Sequence, residues 1–294
     1  MAVFTTYEAI GNRENLMDAI TNISPTETPL FSGLKKVNVT GKYVEWLTDS
    51  LATATTNAKV EGADYTFGTL SPASRVGNYT QIMNKPFQVS MTEDVVSKAG
   101  RDSEKAYQLE KATKELARDA EYELINSTSS SGTSGAARSM AGILAWITTN
   151  VETGSGTGTE ALTEDMFNDA LQAIYDGGGR PDTAYVAGFQ KRKISSFATS
   201  NTRYQDGSAG KLSNYVSVYE SDFGMIEIVY DVFMSTSVVA ILEKDKWNIG
   251  VLRPFRSKEV PSVGDSIKGV VEGEITLIAK NEASSGKITQ LTTS

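Results

Sequence analysis

The sequence predicts an α+β fold, and three observations predict it. Residues 101–126, RDSEKAYQLEKATKELARDAEYELIN, place Ala106, Leu109, Thr113, Leu116, Ala120 and Leu124 at spacings of three and four, the mark of one long amphipathic helix. From residue 163 onward helical and extended patterns alternate, as they do in layered α/β arrangements. Near the C-terminus Val271, Ile275, Leu277 and Ala279 alternate with Glu272, Glu274, Thr276 and Lys280, which predicts a half-buried antiparallel strand.

Composition narrows the function classes. The chain has 294 residues and a formal net charge of -8, and no stretch concentrates Lys and Arg into a phosphate-gripping groove. It contains no cysteine and no histidine. That removes disulfides, thiolate metal sites, the Cys nucleophile, the commonest general base and the commonest transition-metal ligand together. No enzyme activity, cofactor, metal or catalytic residue is expected. The N-terminal MAVFTTYEAIGNREN has no basic start followed by an apolar core, and the longest apolar runs, ILAWI and VVAIL, are far too short to span a bilayer. No membrane partner is expected.

Taken in order, residues 1–40 read as an arm. YEAIGNRENLMDAITN (7–22) has the pattern of a short helix or two turns. In NISPTETPLFSGL, Pro25 and Pro29 interrupt helix and favour extended backbone, while Leu30, Phe31 and Leu34 predict docking on another surface.

Residues 41–90 predict a long two-stranded extension. KYVEWLTDSL (42–51) carries Val44 and Trp46 on one face, with Tyr43 and Leu47 on the other. RVGNYTQIMNKPFQVS (75–90) likewise reads as one strand with apolar positions on both faces, since Val76, Ile82 and Phe87 cannot all point one way at a period of two. Residues 48–74 between them are mostly Thr, Ala, Ser and Gly, with turn points at Gly62 and Gly68. Such a segment builds no core, so it predicts the tip of a projecting hairpin lying across a neighbouring surface.

The helix at 101–126 has Asp102 or Ser103 as its N-cap and would be about 40 Å long. Gly/Ser/Thr-rich joints at 127–140 and 151–160 flank a short apolar element, AGILAWITTN. Thr163 caps a helix carrying Met166, Phe167, Leu171 and Ile174, and glycines end it. TAYVAG (183–188) is a buried strand, 189–200 a second helix, 201–212 a polar loop, 214–231 a hairpin turning at SDFG, and SVVAILEKDKWNIGVL two further strands.

Candidate chemical motifs fail on spacing. DGSAGKLS (206–213) has only two residues between Gly207 and Gly210, and Leu212 stands where a phosphate loop needs a metal-binding hydroxyl. TGSGTGT lacks the flanking strand and helix of a dinucleotide site. GTSGA is no nucleophile elbow. EYE (121–123) and EGE (272–274) offer paired carboxylates with nothing to single them out for catalysis.

The order of parts, together with the stretches TYEAIGNRENLMDAITNISPTETPLFSGL, YVEWLTDSL, VEGADYTF, RVGNYTQI, VSKAGRDSEKAYQLEKATKELARDAEYELIN and AARSMAGILAWITTN, resembles the major capsid proteins of tailed bacteriophages, in particular the family typified by the SU-ten capsid protein. The resemblance implies a Hong Kong-97 type capsid fold. Its parts would be an N-arm (1–40), an E-loop hairpin (41–90), a P-domain first part (91–160) with its spine helix at about 101–126, an α/β A-domain (161–252), and P-domain return strands (253–294).

It also implies a structural role. The chain would self-assemble into hexamers and pentamers of an icosahedral head enclosing double-stranded DNA without sequence-specific binding, in a virion assembled in bacterial host cytoplasm. A portal, decoration proteins and a separate scaffolding protein are the implied further partners, since the sequence opens directly on the arm. Another copy of the chain would cover the hairpin, with Pro25, Pro29, Phe31, Trp46, Tyr65, Phe67, Tyr79 and Phe87 as inter-subunit contacts. Gly41, Gly77 and the Gly-rich joints would be hinges. The competing readings are a head accessory or decoration protein and an encapsulin-like compartment shell.

Overall fold

The computed structural model describes residues 27–65, 67–70, 72–96, 103–154, 159–197 and 217–293. Pro25, the helix or turns expected at 7–22 and the polar loop at 201–212 lie outside them.

In chain order a short helix α1 (Pro29–Gly33) leads to β1 (Lys35–Asn38), the ribbon strands β2 (Tyr43–Thr48) and β3 (Ser74–Tyr79), the long β4 (Gln81–Ser90) and a helical turn α2 (Met91–Val95). The long helix α3 (Glu104–Asn126) precedes α4 (Ile143–Trp146), β5 (Asn150–Thr153), α5 (Glu164–Asp176), β6 (Thr183–Val186) and α6 (Gly188–Phe197). The hairpin β7 (Val218–Ser221) and β8 (Gly224–Tyr230), then β9 (Val239–Leu242), the two long strands β10 (Trp247–Val260) and β11 (Ser266–Ala279), and β12 (Gly286–Thr289) complete the chain.

Three sheets result. The first, in the order β1-β10-β11-β4, is built on the antiparallel β10–β11 pair, with β1 parallel to β10 at one edge. The second runs β5-β12-β9-β6-β8-β7 and mixes parallel and antiparallel neighbours. The third is the antiparallel ribbon β2–β3. The last strand, β12, thus joins the six-stranded sheet rather than the sheet of β10 and β11. The joint expected at 151–160 begins as β5, at that same sheet's edge.

Both long helices start where the sequence places their caps. Ser103 Oγ accepts from the Ala106 N–H at 3.3 Å, and Thr163 Oγ1 accepts from the Met166 N–H at 3.2 Å. Asp94 adds a second cap to α3, its Oδ1 accepting from the Glu104 and Lys105 N–H groups at 2.9 and 3.2 Å.

The buried stripe of α3 matches its expected course only from Leu116 onward. Ala112, Leu116, Ala120, Glu121, Leu124 and Ile125 are buried, whereas Ala106 and Thr113 are exposed. The first turns meet α2 and the first sheet. The second half is covered by α1 and α4 as well as by β4 and β11, which widens its buried face.

Three further expectations are corrected. Pro29 does not extend the arm; it opens α1 at the first helical position, where the missing N–H costs nothing. Residues 75–90 are not one strand, because Thr80 breaks them. Its N–H is held by the Lys42 carbonyl at 2.9 Å and its carbonyl by Arg138 Nε at 2.9 Å, so the chain leaves the ribbon there and enters the first sheet. Lastly, β11 is half-buried only in its first half: Glu274 and Thr276, expected to face solvent, are 4% and 0% exposed. The crossing segment 78–80 and the loop around Arg138 cover that side.

Two cores hold the layers together. One gathers α3, α4, Leu30 and Leu34 with β10 and β11 around Trp247, whose indole N–H donates to Ser285 Oγ at 2.8 Å. The other packs α5 and α6 on the six-stranded sheet through Phe167, Leu171, Ile174, Ile194, Ile228 and Ile241. On β11, Gly269 and Gly273 leave room for aromatic rings: a Cβ at either position would overlap Phe87 or Phe255.

Candidate functional site

The ribbon β2–β3 leads into the excursion 49–73, whose described residues are all exposed. Along this excursion Leu51, Val60, Tyr65, Phe67 and Leu70 are between 81% and 98% exposed, so nothing among the described residues covers them. An isolated two-stranded ribbon with apolar side chains is marginal in water. Here its base is anchored and its tip is not.

The anchoring is aromatic and polar. Tyr43 and Tyr79 sit opposite each other with ring centroids 4.5 Å apart. On the other face Trp46 packs 5.4 Å from Trp146 of α4. Directly beneath, Asn78 is fully buried and uses its whole amide. Its Nδ2 donates to the Ala141 and Leu277 carbonyls at 3.0 and 2.8 Å, and its Oδ1 accepts from the Ala141 and Tyr79 N–H groups at 2.8 and 3.0 Å.

Next to it Glu274 gathers three segments. Its Oε1 accepts from Thr80 Oγ1 at 2.6 Å and from Arg138 Nη2, and its Oε2 accepts from Arg253 Nε at 2.9 Å. Burial alone would raise this carboxyl's pKa. The Thr80, Arg138 and Arg253 donors outweigh burial and hold it below the usual carboxylate value.

A second buried carboxyl holds the arm. Glu121, fully buried on α3, accepts from the Leu30 and Phe31 N–H groups, one on each oxygen, both at 2.7 Å. These are orphan donors of the first turn of α1, so a distant glutamate does the work of a cap.

The expected contact residues divide into two groups. Tyr65 and Phe67 stand in solvent at the tip. Phe31, Trp46, Tyr79 and Phe87 are half-buried within their own chain: Phe31 lies edge-on to Phe255 at 5.9 Å with Lys36 Nζ 4.1 Å over its ring, and Phe87 lies over Gly269. At Gly77 the backbone is closely packed: a Cβ there would stand 2.7 Å from the Val44 carbonyl oxygen.

Sequence reasoning missed Asn78, Arg138, Glu121 and Glu274. The available signals were a glutamate inside the apolar stripe of a helix and another midway along a strand that runs on into apolar residues. A second uncovered apolar group closes the far end of the first sheet, where Met91, Val95, Val96, Val260 and Val263 are all exposed. Among the described residues no cluster of His, Cys, Asp and Glu could hold a metal, and no helix is long and apolar enough to cross a membrane.

The model of a family described as SU10 major capsid protein matches residues 3–292. A major capsid protein of Escherichia phage Phieco32 is 35% identical over 125 residues, which cover 42% of this chain and only 36% of that relative's length. Among solved structures, a chain of the cyanophage A-1(L) capsid asymmetric unit is similar with a TM-score of 0.69 at 15% identity, covering 99% of both chains. A chain of the SrpI encapsulin complex from Synechococcus elongatus PCC 7942 is similar with a TM-score of 0.61 at 11% identity, covering 100% of this chain and 98% of the other.

Proposed function

Because the chain belongs to the SU10 major capsid protein family and has the Hong Kong-97 type fold of phage capsid proteins, we propose that it is the shell subunit of a phage head, with the hairpin tip at 49–73 as its principal clasp on the next copy. The family is one of structural capsid proteins, not of enzymes. The observation that carries the clasp is the contrast within one element. The ribbon base is fixed by Asn78, Glu274 and two aromatic pairs, while five large apolar side chains at its tip have no cover among the described residues.

Hexamers and pentamers built from one sequence require a rigid body with deformable extensions. The tip fits that need, because its small polar residues impose little structure of their own. Tyr65 and Phe67 are its contact residues, and the exposed valines at the far end of the first sheet form a second contact between capsomers. A portal, a separate scaffold and decoration proteins would complete the head inside a bacterial host. The acidic balance suits a wall that encloses DNA without gripping it.

A chain of an encapsulin complex shares this fold, so the fold alone does not separate a phage head from an encapsulin-like compartment shell. The family match over residues 3–292 favours the head. The test is expression of the full chain and of a variant lacking 49–73, each followed by light scattering and negative-stain microscopy. Capsomers, tubes or shells from the full chain only are expected. A full chain that stays monomeric with crowding and with scaffold, or a deletion that assembles equally well, overturns the reading.

A further inference from the structure

We infer that Glu121 and Asp231 share one proton, and that this proton makes the docking of the arm segment 29–34 a pH-dependent latch between α1, α3 and the end of β8.

The geometry has two halves. Both Glu121 oxygens are occupied as acceptors by the Leu30 and Phe31 N–H groups at 2.7 Å. Asp231, 1% exposed, follows β8 and turns its carboxyl toward Glu121. Its Oδ1 accepts from the Phe233 N–H at 2.8 Å, while its Oδ2 is buried with no hydrogen-bond donor among the described residues. A proton between the carboxyls supplies the missing donor.

No Lys or Arg among the described residues pairs with either carboxyl. From β6 the buried Tyr185 faces them, its hydroxyl packed against the arm at Gly33. Asp182 and Glu227 stand beyond it; burial first, and then these four carboxyls, push the Tyr185 pKa upward. Arg118, one turn earlier on α3, is turned over the Phe233 ring at 5.8 Å. Two carboxylates placed together without a counter-charge cannot both ionise cheaply. Burial raises Glu121 to about 8, against the opposing pull of the two arm N–H groups, and raises Asp231 as well.

Loss of the proton puts a second negative charge into this interior. Of the three segments joined there the arm is the shortest: α1 has only five residues, and among the described residues it is held by those two hydrogen bonds, by Leu30 and Leu34, and by the edge contact of Phe31 with Phe255. It is therefore the arm that lets go.

Hydrogen exchange of the backbone over 29–34, measured on the full chain and corrected for intrinsic chemistry, tests the latch. Protection is expected to fall by about tenfold or more between about pH 6 and about pH 9. Asp231→Asn supplies an amide donor to Glu121 without needing the shared proton, so its protection should stay level over the same range. Glu121→Gln, with one acceptor fewer, should be less protected at both ends and equally level. Wild-type protection that does not change with pH, or a fall of the same size in either variant, overturns the proposal. If Asp231→Asn fails to fold, Glu121→Gln decides alone.

Discussion

The ring of Tyr43 fills the space that a side chain at residue 77 would need. A Cβ on Gly77 would stand 2.8 Å from Tyr43 Cζ and 2.7 Å from the backbone oxygen of Val44. The same ring packs on Tyr79, so the absence of a side chain at 77 is what lets two tyrosines cross the ribbon and stiffen its base. Gly77→Ala should therefore destabilise the chain by about 1–3 kcal/mol, as overpacking does. Chemical denaturation reads this directly. An unchanged midpoint would mean that the ribbon base carries no strain from the added methyl.

Glu274 gives a second expectation, on the acid side. Its pKa is held below the ordinary value of 4.5, so the stability it contributes is present above pH 4.5 and is lost as pH falls through the folded value. Glu274→Gln leaves Arg138 and Arg253 facing each other without their shared counter-charge. A loss of about 3–5 kcal/mol at neutral pH is expected, as for other broken buried pairs. Urea midpoints from neutral pH to about pH 3 should then fall less steeply in the variant than in the wild type. Equal slopes would show that Glu274 does not anchor the ribbon through its charge.

The buried face of α3 can be checked by contrast. Leu124 is fully buried between the long helix and the strands beneath it, so Leu124→Ala should cost about 2–5 kcal/mol. Ala106, on the stripe that periodicity alone would assign, is exposed, and Ala106→Ser should stay within about 0.5 kcal/mol. Similar costs at both positions would mean that the helix is rotated from the position described.

What the sequence made legible was local, and what it hid was long-range. The caps at Ser103 and Thr163 were readable because an N-cap and its N–H partner are three residues apart. The hairpin at 218–230 and the uncovered tip were readable because turn chemistry and composition act over a few positions. Glu121 and Glu274 were not. Glu121 meets its partners 90 and 91 residues upstream, and Glu274 meets Thr80 and Arg138 across 194 and 136 residues. A carboxylate is assigned to solvent by default, and only the tertiary fold delivers the donors that let it stay inside. The break at Thr80 was hidden for the same reason. An alternating pattern continues through it, and Arg138 and Lys42, which hold the crossing, are far away in the chain.

Assembly itself should respond to two opposed terms, one apolar and one electrostatic. Covering a large aromatic side chain contributes on the order of 1.5–3 kcal/mol, repeated at every copy in a closed shell. Against this, subunits of net charge -8 repel one another, and salt shortens the range of that repulsion to about 8 Å at physiological ionic strength. Wild-type assembly followed by light scattering should accordingly increase with sodium chloride at fixed protein concentration. Phe67→Ser removes the apolar term at a position that is 94% exposed in the single chain, so it should leave far-UV circular dichroism unchanged and stability within about 0.5 kcal/mol. Salt should then fail to restore assembly, because screening removes a repulsion but supplies no attraction. Tyr65→Ser, 90% exposed on the same excursion, should behave alike. Variants that assemble as the wild type does at every salt concentration would move the clasp away from the tip and onto the exposed valines at the other end of the first sheet.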